Sequence, residues 1–372
     1  MEFKGIVYHE FPKAMYVHVP FCASICAYCD FARVKYTSVL FDKWLAVIRK
    51  EIDSVSTNEM RTIYIGGGTP SSLSLEQLDV FLGLLDRFSG VEEYTIEVNP
   101  ETLSLEKCMM LKKHGINRIS MGVQSFQSHL LKMMDRKHCV DDIMQCLAWF
   151  KEVGIDNCSI DLMYALPKQS IEDWENDLAI ACSLDVSHIS LYSLTIEPNS
   201  KFGRWGVEPV DGDLEFEMYE YAIDYLSSHG FEHYEVSNFA RNGLCSKHNI
   251  AYWKYDDFYG IGLGSSGKLG KYRYTQTMNF VEYFNETLDM EIVELDDADE
   301  RFEAIMMGLR MLEGICIEEY NCRYKVDLLA LYEGAINENI RRGWLEIVDG
   351  NMRVTRDGLY LLHEVLLEFM ND

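Results

Sequence analysis

Residues 15–29 read Met15-Tyr-Val-His-Val-Pro-Phe-Cys-Ala-Ser-Ile-Cys-Ala-Tyr-Cys29, a short apolar strand running into the spacing C-x3-C-x2-C. Thiolates are the soft ligands of iron–sulfur clusters. A cubane has four irons, so three neighbouring cysteines, Cys22, Cys26 and Cys29, can hold three of them and leave the fourth without a protein ligand. An open coordination position is where a metal site does chemistry, so the spacing points to a reactive cluster rather than an electron carrier. The plainer alternatives are a zinc knuckle and three unrelated thiols. Zinc prefers four ligands in C-x2-C pairs, and a local fourth is missing.

Outward from this stretch, strand-like and helix-like segments alternate with a regular beat. Strands are expected at 15–19, 62–66, 94–98, 117–122, 157–163 and 188–194, each short, apolar and often β-branched, as in a parallel sheet buried on both faces. Amphipathic helices are expected at 37–54, 105–114, 140–153, 171–184 and 213–228. Another starts at Ser74, where Gln77 completes a capping box. Six β–α units are too few for a closed eight-stranded barrel, so the expected fold is α/β, an open (β/α)6 partial TIM barrel.

In such a barrel, active groups gather at the carboxyl ends of the strands. Glycines fill the end of the second strand, Gly66-Gly-Gly-Thr-Pro70, where the absence of Cβ atoms lets backbone groups approach a small zwitterion. Glu97 ends the third strand in Glu-Val-Asn-Pro100. Gln124 follows the fourth, with Arg136 soon after. Asp161 lies late in the fifth, and Thr195 follows the sixth. Singly, each is a common loop anchor. Together they offer acceptors for hydroxyl and amino groups and a cation for a carboxylate.

The cysteine triplet and the glycine run together resemble the radical S-adenosylmethionine (SAM) superfamily. Five segments narrow the likeness to the oxygen-independent coproporphyrinogen III oxidase-like family: Tyr16-Val-His-Val-Pro-Phe-Cys22, Gly66–Pro70, Glu-Val-Asn-Pro, Gly-Val-Gln-Ser-Phe126 and Asp-Arg-Lys-His138. The resemblance implies a 4Fe–4S cluster on Cys22, Cys26 and Cys29, with SAM chelating the open iron. It also implies SAM contacts from Tyr16, Tyr28, Gly67, Gly68, Thr69, Glu97, Gln124, Arg136, Asp161 and Thr195. If radical chemistry occurs, a one-electron donor such as flavodoxin or ferredoxin reduces the cluster, and a 5′-deoxyadenosyl radical takes hydrogen from a substrate.

The oxidases of this family continue the triplet as C-x3-C-x2-C-x-C, but here Phe31 occupies the last position. Cys-Ala-Tyr-Cys-Asp-Phe31 resembles instead the haem-chaperone branch, the HemW type, which binds haem and hands it to a protein acceptor that can be membrane-associated. That branch shares the motif His248-Asn-Ile-Ala-Tyr-Trp253. His248 and Tyr252, four apart on a helix, are its candidate haem ligands, and closing the barrel by hydrogen bonds is their structural alternative. The branch often carries Ala-His where this chain has Ser265-Ser266. Coproporphyrinogen III dehydrogenase or another radical SAM enzyme remains the alternative activity.

The division expected is a barrel over 1–228, a barrel-closing segment over 229–295, and a small α+β winged-helix-like domain over 296–372. In the last, helices are expected from 296, at about 325–342 and from Leu359 to Met370, with a hairpin turning at Asp349-Gly350. The 372 residues include eleven cysteines, an odd number scattered through apolar runs, and no secretory signal pattern begins the chain. Both features suit a reducing cytoplasm. A formal net charge of −26 argues against nucleic acid as a partner.

Overall fold

The computed structural model describes residues 2–88, 90–285 and 290–370. Its barrel strands are β1 (Ala14–Val19), β2 (Thr62–Gly67), β3 (Glu93–Val98), β4 (Arg118–Gln124), β5 (Asn157–Tyr164) and β6 (His188–Ser193). All neighbours in this series pair in parallel. Between them run α1 (Ser38–Ser54), α2 (Leu75–Gly83), α3 (Leu105–Lys113), α4 (Val140–Val153) and α5 (Ile171–Ser183), and α6 (Gly212–Ser228) follows β6. Ser74 and Gln77 form the expected capping box, Ser104 caps α3, and Ser170 with Asp173 caps α5. Each cap satisfies amide donors that the first helical turn leaves over.

The sheet reaches further than six strands. After α6 come β7 (Glu232–Glu235), β8 (Asn238–Ala240), the helix α7 (Lys247–Trp253), β9 (Phe258–Ile261), β10 (Ser266–Leu269), β11 (Tyr272–Thr275) and β12 (Glu291–Glu294). The sheet order is β7-β8-β6-β5-β4-β3-β2-β1-β9-β10-β11-β12. β9 lies parallel beside β1, and β8 antiparallel beside β6, so both edges of the six-strand arc are extended.

The two faces of the strands differ, contrary to the expectation of strands apolar on both sides. Met15, Val17, Val19, Ile63, Ile65 and Ile96 join the apolar core. The alternate positions form a buried polar lining. Ser120 donates to both oxygens of Asp161 (3.1 and 3.0 Å), and Ser159 Oγ meets His188 Nδ1 at 2.8 Å. His188 Nε2 in turn meets the Tyr234 hydroxyl at 2.9 Å. Hydrogen bonding is what makes such burial tolerable.

The last part begins with α8 (Asp297–Gly308), N-capped by Asp296. It continues as β13 (Ile315–Cys316), α9 (Ile317–Tyr324), α10 (Leu328–Leu331), α11 (Glu333–Arg342), β14 (Leu345–Val348), β15 (Asn351–Val354), α12 (Arg356–Tyr360) and α13 (Leu362–Phe369). Asp349 (φ 51°) and Gly350 (φ 81°) make the expected hairpin turn. The single helix expected over 325–342 is divided. Lys325 leaves α9 in a left-handed conformation, Asp327 caps α10 anew, and α11 starts at Glu333. No described helix is long and apolar enough to cross a membrane.

Glu51, on α1, ties the amino-terminal segment to the far edge of the arc. Its buried carboxylate accepts from Lys4 Nζ (2.7 Å), the Gly262 amide (2.7 Å), Gln276 Nε2 (3.0 Å) and the Tyr283 hydroxyl (3.1 Å). Glu51→Ala strands the Lys4 ammonium and is expected to cost about 3–5 kcal/mol. Urea unfolding followed by circular dichroism measures this; a loss under about 1 kcal/mol would show that the four bonds merely decorate the surface of a self-sufficient barrel.

Candidate cofactor site

The cluster loop is fastened to β1 and β2 by main-chain bonds. The Gly68 amide donates to Val19 O (2.8 Å) and the Thr69 amide to Phe21 O (2.7 Å). His18, on β1, bonds Ala32 O through Nε2 (2.7 Å) and the Tyr16 hydroxyl through Nδ1 (3.0 Å). A Cβ on Gly67 (φ 109°) would lie 2.4 Å from the His18 ring, and one on Gly68 would lie 2.6 Å from Phe21 O. The glycines are therefore required for seating the cluster loop, a role beyond the expected approach to a ligand.

A cavity of about 600 Å³ opens over the strand ends. Cys22, Cys26 and Cys29 stand on one side with Tyr28. Gly67, Gly68, Thr69, Glu97, Gln124, Arg136 and Asp161 complete the expected lining. Two expected residues fall elsewhere. Tyr16 lies deeper in the barrel, stacked on Tyr64 with centroids 6.2 Å apart, and Thr195 is exposed and outside the lining.

The lining also holds groups that the sequence did not single out. Asn99 is the chief one: its Nδ2 donates to Thr69 Oγ1 (3.1 Å), and its Oδ1 accepts from Arg136 Nη2 (2.8 Å). Its place inside Glu-Val-Asn-Pro was the available signal. Tyr64 donates to Glu97 Oε1 (2.9 Å) and could be found by counting two residues back from Gly66 along an alternating strand. Gln124 adopts a left-handed backbone (φ 68°), unusual for a non-glycine residue. The loop after it is clamped by buried Asp177, which accepts from Ser125 Oγ (2.7 Å), the Phe126 amide (2.9 Å) and Gln127 Nε2 (2.9 Å).

The electrostatics divide the cavity. Burial, reinforced by the Asp161 charge, pushes Glu97 up to about 7, against the bonds from Tyr64 and the Gly67 amide. Burial also raises Asp161, against hydroxyl bonds from Ser190 and Ser120 and the charges of Arg118 and Arg136. Arg136 opposes these carboxyls. Its Nη1 lies 3.5 Å from Cys26 Sγ, while its Nε is buried without a hydrogen-bond partner among the described residues. Paired acceptors facing a cation with a spare donor complement an amino-acid zwitterion. Burial raises the Cys22 thiol to about 11, so binding iron there displaces a proton. No three His, Cys, Asp or Glu side chains among the described residues converge on one ion. In a four-iron cluster each thiolate takes its own iron, so the sulfurs need not meet at a point.

His248 lies at the opposite end of the barrel. Its Nδ1 meets Thr62 Oγ1 (2.9 Å) at the start of β2, and its Nε2 meets the Tyr252 hydroxyl (2.8 Å). The Glu93 carboxylate, at the start of β3, caps α7 by accepting from the Lys247 and His248 amides (2.8 and 2.9 Å). The His248 ring is fully buried against Tyr64, and burial lowers it to about 3. Trp253 lies under Arg310. The expectation that His248 and Tyr252 ligate haem thus meets an arrangement in which both ring nitrogens are engaged and the motif plugs the amino-terminal end of the barrel.

An open β/α arc with three cysteines and a zwitterion-shaped cavity at its strand ends defines a protein of the radical SAM class. Residues 16–181 match the Radical SAM superfamily and residues 295–361 the HemN C-terminal domain. The chain is 36% identical to the Heme chaperone HemW of Lactococcus lactis, covering 97% of this chain and 98% of that one. It is 33% identical to the HemW of Bacillus subtilis (97% and 100% covered) and 31% identical to that of Escherichia coli (96% and 98%). It therefore belongs to the HemW family. Among solved structures, the radical SAM enzyme coproporphyrinogen III oxidase (HemN) from E. coli shares the fold at a TM-score of 0.84 and 19% identity, covering 96% of this chain and 90% of that one.

His248→Ala is expected to cost about 2–4 kcal/mol, through a cavity beside Tyr64 and two stranded hydroxyls. Iron loading at the other end of the barrel is expected to stay at the wild-type level. Thermal melts and iron analysis of one preparation test both, and iron loss at unchanged stability would contradict a purely structural plug.

Proposed function

We propose that the chain is a haem chaperone of the HemW type. It holds a 4Fe–4S cluster on Cys22, Cys26 and Cys29, binds SAM in the adjoining cavity, and passes haem to a protein acceptor in the cytoplasm. The observation that carries this reading is near-full-length similarity to HemW relatives, together with Phe31 after the triplet. Phe31 is 68% exposed at the cavity rim, where Arg33 bonds both its carbonyl and that of Cys29.

Within this reading Arg136 faces the methionyl carboxylate, and Glu97 and Asp161 accept from amino and ribose hydroxyl groups. The cluster, when bound, supplies one-electron chemistry. The Asp177 clamp holds the loop that follows the left-handed turn at Gln124. The domain division at 228 and 295 is part of the same proposal, as is a flavodoxin- or ferredoxin-like donor wherever reduction is required.

The direct test is a haem titration of the anaerobically reconstituted protein, followed by mixing with a haem-free acceptor and an assay for coproporphyrinogen decarboxylation. Saturable one-to-one binding and transfer, without decarboxylation, is the expected result. Catalytic decarboxylation without specific haem binding would move the chain to the oxidase branch. Folded His248→Ala is expected to retain haem affinity; its loss would make His248 a ligand.

SAM binding should weaken in acid. Burial pushes Glu97 up to about 7. Ionised, it accepts from an amine or hydroxyl through both oxygens and offers a negative charge to the sulfonium, whereas the protonated form keeps one weaker acceptor and loses the charge. If SAM selects the ionised form, the apparent Kd rises about eightfold from pH 7.5 to 6. Glu97→Gln should bind weakly with a flat profile over that range. Calorimetry at several pH values measures this, and a flat wild-type profile would remove Glu97 from the contact set.

A further inference from the structure

Each cluster cysteine is held differently. Cys22 receives the Thr69 hydroxyl at a long 3.8 Å. Cys29 is fixed through its carbonyl, by Arg33. Among the described residues, Cys26 alone of the three has a cationic donor on its sulfur: Arg136 Nη1 at 3.5 Å. That arginine is 7% exposed and cannot swing freely. Its Nη2 bonds Asn99 Oδ1 at 2.8 Å and also Gly122 O. Behind it, His138 bonds Val123 O through Nε2 (3.0 Å) and Glu101 through Nδ1 (3.2 Å). The loop is pinned from the same side, since the Ala27 amide donates to Met134 O at 3.1 Å.

We propose that Arg136, besides facing the ligand cavity, raises the reduction potential of the cluster through a charge-assisted N–H···S bond to Cys26. The inference rests on the cluster assignment made above. Reduction adds one electron, from [4Fe–4S]2+ to [4Fe–4S]+, with no proton transferred. The added negative charge spreads onto the thiolates, where a fixed guanidinium in a largely buried wall stabilises the reduced form more than the oxidised one. Hydrogen bonds to cluster sulfurs are among the levers that set such potentials. Lysine is a poor substitute, because one ammonium cannot hold Asn99, Gly122 and Cys26 in the planar fork that guanidinium provides. Arg136 is thus a positioning and tuning residue toward Cys26.

The test is an equilibrium titration of the reconstituted full chain with dithionite and mediators, without SAM, reading reduced cluster by electron paramagnetic resonance. At the potential where the wild type is half reduced, R136Q is expected to show about a tenfold lower reduced-to-oxidised ratio, equivalent to 59 mV for a one-electron couple. R136K should shift the same way by less, and it serves if R136Q fails to load iron. A wild-type midpoint in a variant carrying its full iron and sulfide overturns the inference. A wild-type chain that takes up no cluster, by absorbance near 400 nm and iron content, overturns the cluster assignment instead, so the two failures are distinguishable.

Discussion

Everything at the functional end depends on the contact between the glycine end of β2 and the stem of the cysteine loop. Two main-chain bonds, Gly68 to Val19 and Thr69 to Phe21, extend the pairing of β1 and β2 past the last regular strand residues. The His18 ring then fills the space where a Gly67 side chain would stand, and reaches Ala32 on the far side of the triplet. The loop is therefore anchored before its first cysteine and after its last. A loop of this length would otherwise be among the more mobile parts of the molecule. Anchored at both ends, it presents three thiols beside the strand ends.

The barrel lining explains how the two ends of the molecule stay distinct. At the carboxyl ends, half-buried carboxyls face a ligand cavity and a cation, and desolvation pushes Glu97 up to about 7. At the amino ends, Thr62 and Glu93 are consumed by the α7 plug. Tyr64 lies between them, with its hydroxyl on Glu97 and its ring against His248. A polar interior is costly unless its groups find partners. Here the partners are supplied from below by the chain's own helix, while the upper row retains capacity for a ligand.

Much of this was legible in the sequence. The helix expected over 140–153 is found as Val140–Val153, and the strand expected at 157–163 as Asn157–Tyr164. Long amphipathic helices and β-branched strands carry their period in their own residues. The outer strands carry less of it: in Glu291–Glu294 every position is exposed and the two apolar residues, Ile292 and Val293, are adjacent, so no alternation marks the strand. The break at Lys325 was also hidden, since a left-handed lysine is decided by packing and not by propensity. At the site, strand-end logic found Glu97, Gln124 and Asp161, because topology alone delivers them. It could not find the hub role of Asn99, which arises from three segments meeting, nor place Thr195, which is exposed beyond the end of β6.

The HNxxYW stretch shows how one motif supports two readings until its surroundings are known. Helical spacing correctly put His248 and Tyr252 on one face, and they do touch. Spacing says nothing of what lies opposite that face. Here it is the Thr62 hydroxyl and the Tyr64 ring, so the imidazole is neutral, buried and hydrogen-bonded through both nitrogens. A nitrogen bound to iron must give up a hydrogen bond, and in this position that also loosens the floor beneath Tyr64 and hence the partner of Glu97. Ligation at His248 would therefore be felt at the strand-end cavity through one aromatic ring. A haem site independent of that coupling has to lie outside the plug.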